Sequence, residues 1–147
     1  MSIGVSGGGG AGSGVTDASI VSNIGGTVQA GESGVVYMTE VKSNEKLVIE
    51  RAALLDGGGA AVPNNLDLII IRLDNTGGGE KIKDILTGDG SAIYDDEVGN
   101  PITDYENTGS NDESIAVVVD NGNFNNGTGA SQNVNVGIIG EVTDVQQ

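Results

Sequence analysis

The sequence predicts an all-β fold: a single β-sandwich whose best-fitting form is the eight-stranded jelly roll. Three observations lead there. Short runs rich in Val, Ile and Leu recur roughly every ten residues. No stretch carries a sustained helical period. The 26 glycines among 147 residues fall largely between the apolar runs, where they read as turns. Val and Ile branch at Cβ, which restricts them in a helix and suits them to a pleated surface. Aromatic residues are 3% of the chain and hydrophobic residues 37%, so an aliphatic core is expected. The length fits one domain, residues 15–147, preceded by an arm of residues 1–14.

Taken in order, "VSGGGGAGSG" (5–14) offers almost no side chains, and such a segment is a flexible coil in isolation. Its glycines, Gly7, Gly8, Gly9, Gly10, Gly12 and Gly14, need no pocket and let two backbones approach closely, so the arm is expected to thread between subunits. "GTVQA" (26–30) is a short strand before a turn at Gly31. "GVVYMTEV" (34–41) places Val35, Tyr37, Thr39 and Val41 on one face. "SNEK" (43–46) is a turn. "EKLVIERAALL" (45–55) sets Leu47, Ile49 and Ala53 against Val48 and Glu50. "DGGGAAVPNN" (56–65) is a loop. "LDLIIIRLD" (66–74) has an unbroken apolar centre, the mark of a strand covered on both faces. "NTGGGE" (75–80) is a turn, and "KIKDIL" (81–86) fits a strand or one helical turn equally. Residues 87–113 are weakly patterned and acid-rich, and read as a long loop. "SIAVVVDN" (114–121) is a strand, and "GNFNNGTGAS" (122–131) a polar loop. "QNVNVGIIGEV" (132–142) alternates most cleanly, with Val134, Val136, Ile138 and Val142 opposite Asn133, Asn135, Ile139 and Glu141.

Composition narrows the function. There is no Cys, which removes disulfides, thiol nucleophiles and thiolate metal ligands. There is no His, the usual general base near neutral pH. No apolar run reaches the length of a membrane-spanning helix, and no basic-then-apolar leader opens the chain, so neither membrane insertion nor a secretory signal is expected. Asp and Glu number 21 against six bases (Lys42, Lys46, Arg51, Arg72, Lys81 and Lys83), a net charge of −15. That charge opposes phosphate, so nucleic acid is not an expected partner. It also strains a compact fold in dilute buffer. In molar salt the Debye length falls to roughly 3 Å, and the same carboxylates become a hydrated skin. The balance therefore points to a high-salt environment.

The catalytic and ligand motifs in the sequence are incomplete. Gly7, Gly9 and Gly12 satisfy the dinucleotide-binding spacing only because they lie in a glycine tract that no strand precedes. Asp104, Glu106, Thr108, Gly109, Ser110 and Asp112 match calcium-loop spacing, but Ile115 stands where a bidentate Glu is required. A looser cation site could draw on Asp95, Asp96, Glu97, Asp104 or Glu106; a solvated acidic loop explains the same residues. Paired carboxylates for sugar hydrolysis lack stacking aromatics. Asn126-Gly127-Thr128 is a glycosylation triplet of the kind that Asn-rich loops contain by chance. No enzyme activity and no cofactor are expected.

The arm "VSGGGGAGSG", strands such as "KLVIERAALL" and "NVNVGIIGEV", and the acid-loaded loops together resemble small single jelly-roll capsid proteins, penton or minor capsid, of haloarchaeal icosahedral viruses. The head-decoration proteins of haloarchaeal tailed viruses share the same texture. The resemblance implies a virion location and a self-associating subunit forming a closed ring, such as a pentamer, in contact with other capsid or spike proteins. A receptor- or glycan-binding module, a spike or adhesin-like protein using the loops at 87–113 and 122–131, is the alternative the sequence leaves open.

Overall fold

The computed structural model describes residues 18–56, 66–74, 76, 78–87, 93–97, 103–125 and 130–145, without the side chains at 18–21, 23, 56 and 93–97. The arm glycines Gly7, Gly8, Gly9, Gly10, Gly12 and Gly14 and the loop at 57–65 lie outside the described residues. Among the described residues nine strands run β1 (Ala18–Val28), β2 (Glu32–Val41), β3 (Glu45–Asp56), β4 (Asp67–Leu73), β5 (Gly79–Thr87), β6 (Ile93–Glu97), β7 (Thr103–Glu106), β8 (Glu113–Asn121) and β9 (Gln132–Asp144). No helix long and apolar enough to cross a membrane occurs among the described residues.

The strands pair β1 with β9, β2 with β8, β3 with both β6 and β7, and β4 with β5, all antiparallel. The chain is thus one long hairpin whose tip is the β4–β5 turn. Rolling that hairpin brings β3 beside β9 and β4 beside β8. Two sheets result, β1-β9-β3 with β6 and β7 at its edge, and β2-β8-β4-β5. This is the strand arrangement of a jelly roll. The ninth strand arises because β6 pairs with Arg51–Leu55 of β3 and β7 with Lys46–Ile49, so two short strands share one position.

Between the sheets lies the aliphatic core: Leu47, Ile49 and Leu54 of β3, Leu68 and Ile70 of β4, Ile115, Val117 and Val119 of β8, and Val134, Val136 and Ile138 of β9. The alternation read in β9 holds at each of these positions. β4 is buried on both faces, as its unbroken apolar run requires. Ile69 and Ile71 form a second cluster with Ala116 and Val118, against which Val35, Leu73 and Phe124 pack.

Four expectations are corrected. β1 begins at Ala18, well before "GTVQA"; its Ser22 faces inward, where the hydroxyl donates to the Val36 carbonyl at 2.8 Å. A bulge between Val35 and Tyr37 inverts the phase of β2, so Val36, Tyr37 and Val41 enter the core while Val35 joins the outer cluster. A bulge between Ile49 and Arg51 does the same to β3, burying Ala52 in place of Ala53. The stretch read as one long loop at 87–113 supplies β6 and β7, whose backbones find partners on the long strand β3. The undecided "KIKDIL" is strand β5, with two register shifts against β4.

Turns follow their side-chain chemistry. Asn44 sits at φ 66°, a left-handed conformation that Asn tolerates, in the β2–β3 turn. At the hairpin tip Asp74 accepts from the Thr76 hydroxyl, the Thr76 amide and the Gly78 amide at 2.7, 2.9 and 3.0 Å. These donors, the hydroxyl first, hold its carboxyl below the ordinary value.

Candidate functional site

Among the described residues, three polar clusters and one shallow depression stand out. The first cluster ties the sheets together. Arg72 of β4 donates from Nη2 to the Tyr105 hydroxyl of β7 at 2.9 Å. Its Nη1 pairs with Glu80 at 3.0 Å and its Nε with Glu113 at 2.9 Å. The Tyr105 hydroxyl donates in turn to Glu113. The guanidinium carbon lies 5.8 Å from the Tyr105 ring centroid, within cation–π range. Burial, then the bond to Glu113, pushes the Tyr105 hydroxyl above its ordinary pKa. The hydrogen bond to Tyr105 raises Arg72.

A pH prediction follows from the raised phenol. The folded state holds the Tyr105 proton more tightly than the unfolded chain, so this contribution is complete below about pH 10 and is lost as pH climbs through the folded value. Absorbance titration of tyrosinate will show a late-ionising group that Tyr105→Phe removes. Loss of an ordinary transition in that variant would contradict the assignment.

The second cluster closes one end of the sandwich. Asp120 is fully buried. Its carboxylate accepts from the Ser33 hydroxyl at 2.7 Å and from the amides of Asn123, Phe124 and Asn125 at 3.2, 3.1 and 2.8 Å. Beside it, Asn121 donates to the carbonyls of Val28 and Ala130. Asp67 stands opposite Asp120 in the β4–β8 register and accepts from Asn125 Nδ2. The third cluster closes the other end. The buried Asn107 donates to the carbonyls of Val41 and Asn111 and accepts from the Gly109 amide at 2.9 Å.

The acids singled out from sequence fall along β3. Asp95, Asp96 and Glu97 lie on β6, in register with Ala53, Ala52 and Arg51, and their side chains are outside the described set. Asp104 and Glu106 lie on β7 opposite Val48 and Lys46, both exposed. Among the described residues no group of three or more Asp and Glu is placed to hold a metal. Ile115, at the twelfth position of the calcium-like spacing, is a core residue of β8. Sequence reasoning missed Arg72, Tyr105, Glu113, Asp67 and Asp120. The two aspartates carried a signal: each interrupts an otherwise apolar strand, where an unsatisfied carboxylate would be costly.

The outer face of the β1-β9-β3 sheet differs from the rest of the surface. Gly25, Asn135 and Leu55 share one register row, and Gly137 and Ala53 the next. With Ile24 and Val136 beneath, they outline a shallow depression of about 300 Å³. Asn133 extends the strip, its Oδ1 accepting from the Thr27 hydroxyl at 2.6 Å. Ile139 stands at its other end, 40% exposed. The residues lining the depression carry no charge in a protein of net charge −15, whereas at the Ile139 end Arg51 stands in register with Ile139, and Glu97 of β6 with Arg51.

No family of proteins and no curated protein matches the chain. Solved structures similar to it include two from viruses. One is a cyanophage Pam1 capsid asymmetric unit, at 14% identity over 90% of this chain and 89% of that one, with a TM-score of 0.32. The other is infectious bursal disease virus, Gx strain, at 12% identity over 92% of this chain and 42% of that one, with a TM-score of 0.35. At these scores the likeness is loose, and the jelly-roll assignment stands on strand order and pairing.

Proposed function

We propose that the chain is a structural virion protein: a self-associating capsid subunit, penton or minor, of a virus of salt-loving archaea. The observation that supports this reading is the uncharged shallow depression on the β1-β9-β3 face. Elsewhere the excess of carboxylates makes copies repel one another; across this depression they can meet without stacking like charges. Ile139 and Met38 are the exposed large apolar side chains among the described residues, 40% and 38% exposed. They lie on different sheets, Met38 opposite Ala116 on the outer side of the β2-β8-β4-β5 sheet. A contact that sets one against the other is head-to-tail, and head-to-tail contacts close into rings when the rotation permits. In this reading the glycine arm threads between neighbouring subunits.

Ile139→Asp and Met38→Asp each place a carboxylate in that contact, at surface positions that leave the core untouched. Each variant is expected to remain folded and to stay monomeric in molar salt, where the native chain assembles; sedimentation velocity reads the difference. Unchanged assembly in both would overturn the proposed contact. Deleting residues 1–14 is expected to leave the sandwich folded and to impair incorporation into particles, and normal incorporation would remove the arm from the account.

A further inference from the structure

We propose that Lys81 and Asn125 become joined by an intramolecular isopeptide bond, formed beside Asp67 and Asp84. The proposal goes beyond the shell reading and does not depend on it. Two register shifts in β5 create the arrangement. They turn Ile82 and Ile85 into the core and set Lys81 opposite Ile71 and Asp84 opposite Ile69, on the outer side of the sheet. Strict alternation would have put Lys81 and Asp84, three residues apart, on opposite faces. The amide to be attacked is delivered by the loop after β8. Asp120 holds the Asn125 backbone amide at 2.8 Å, which aims the side chain at β5.

The distances bring nucleophile, electrophile and proton carriers together. Lys81 Nζ lies 2.9 Å from Asn125 Oδ1 and 3.0 Å from Asp84 Oδ1. Asn125 Nδ2 lies 2.5 Å from Asp67 Oδ2 and 3.3 Å from Asp84 Oδ1. Asp67 is 6% exposed, and Ile69 and Ile71, opposite Asp84 and Lys81, belong to the outer apolar cluster against which Phe124 packs. An amide carbonyl whose oxygen accepts from a lysine and whose nitrogen rests on a carboxylate is held for acyl transfer.

The step balances without an oxidant or reductant. The Lys81 ammonium passes a proton to Asp84. The neutral amine adds to Cγ of Asn125, forming the new N–C bond. Asp84, which touches both nitrogens, passes its proton to Nδ2 and takes one from the attacking nitrogen, while Asp67 holds Nδ2 in place. The Cγ–Nδ2 bond breaks and ammonia departs, taking up the proton left on Asp84 as ammonium. The product is a secondary amide linking β5 to the β8–β9 loop.

Intact-mass spectrometry of the full chain tests this. The native protein is expected to weigh one ammonia less than its sequence, about 17 Da, and a digest is expected to yield one branched peptide containing both Lys81 and Asn125. Lys81→Arg keeps the charge opposite Asp84 but does not supply the amine, and is expected to show the full mass with an unchanged circular-dichroism spectrum. Asp67→Asn is expected to slow the mass loss at least ten-fold after refolding. A native mass equal to the sequence, or an ammonia loss that persists in Lys81→Arg and therefore reflects an asparagine cyclising on its own backbone, would overturn the proposal. Equal rates in Asp67→Asn would remove Asp67 from the reaction.

Discussion

Asp120→Ala will lower the unfolding free energy by about 3 kcal/mol, measured by denaturant titration. The carboxylate is fully buried and accepts from one hydroxyl and three consecutive backbone amides. Removing it leaves those donors to find water, and some cannot, because Phe124 packs down onto the outer apolar cluster. The loop from Gly122 to Asn125 will then loosen, and with it the position of Asn125 beside Lys81. Asp120→Asn keeps the shape but presents fewer acceptors, and an intermediate loss is expected. A loss under about 1 kcal/mol for Asp120→Ala would show that the loop is held by its apolar contacts alone.

Gly140→Ala is expected to cost a similar amount, about 3 kcal/mol, for a steric reason. A Cβ at this position would stand 2.2 Å from the Val48 carbonyl oxygen and 3.4 Å from the Ile49 Cα. Both are backbone atoms of β3, beside the bulge that re-phases that strand, so relief requires moving β3 against β9. Gly78→Ala is the control: its Cβ would meet Asp74 at 3.5 Å, an ordinary contact, and a change within about 0.5 kcal/mol is expected. Equal effects in the two variants would contradict the steric account.

How far such features could be read from residues alone depended on whether they were periodic. β9 and β8 were legible because alternation and apolar runs are local signals. The both-faces burial of β4 was legible because Leu68 to Ile71 leave no polar side to expose. β1 was obscured by Ser22, Asn23 and Gly25, which dilute its apolar pattern although Ser22 is satisfied by a carbonyl across the sandwich. The bulges at Val36, Glu50 and in β5 were illegible, because a period-2 reading has no means of placing one extra residue. β6 and β7 carry too few apolar residues to announce themselves; they are strands because β3 offers a long edge. The clusters were the least legible part. Arg72, Tyr105 and Glu113 meet only once the rolled hairpin is closed, as do Lys81, Asn125 and Asp67.

We propose that this carboxylate-coated jelly roll associates with its own copies through the β1-β9-β3 face in a medium salty enough to screen its charge. Native molar mass by light scattering, in molar and in dilute salt, tests it most directly. A closed assembly of several copies in molar salt that falls apart as the salt is withdrawn is the expected result. A monomer at both salt concentrations would contradict it.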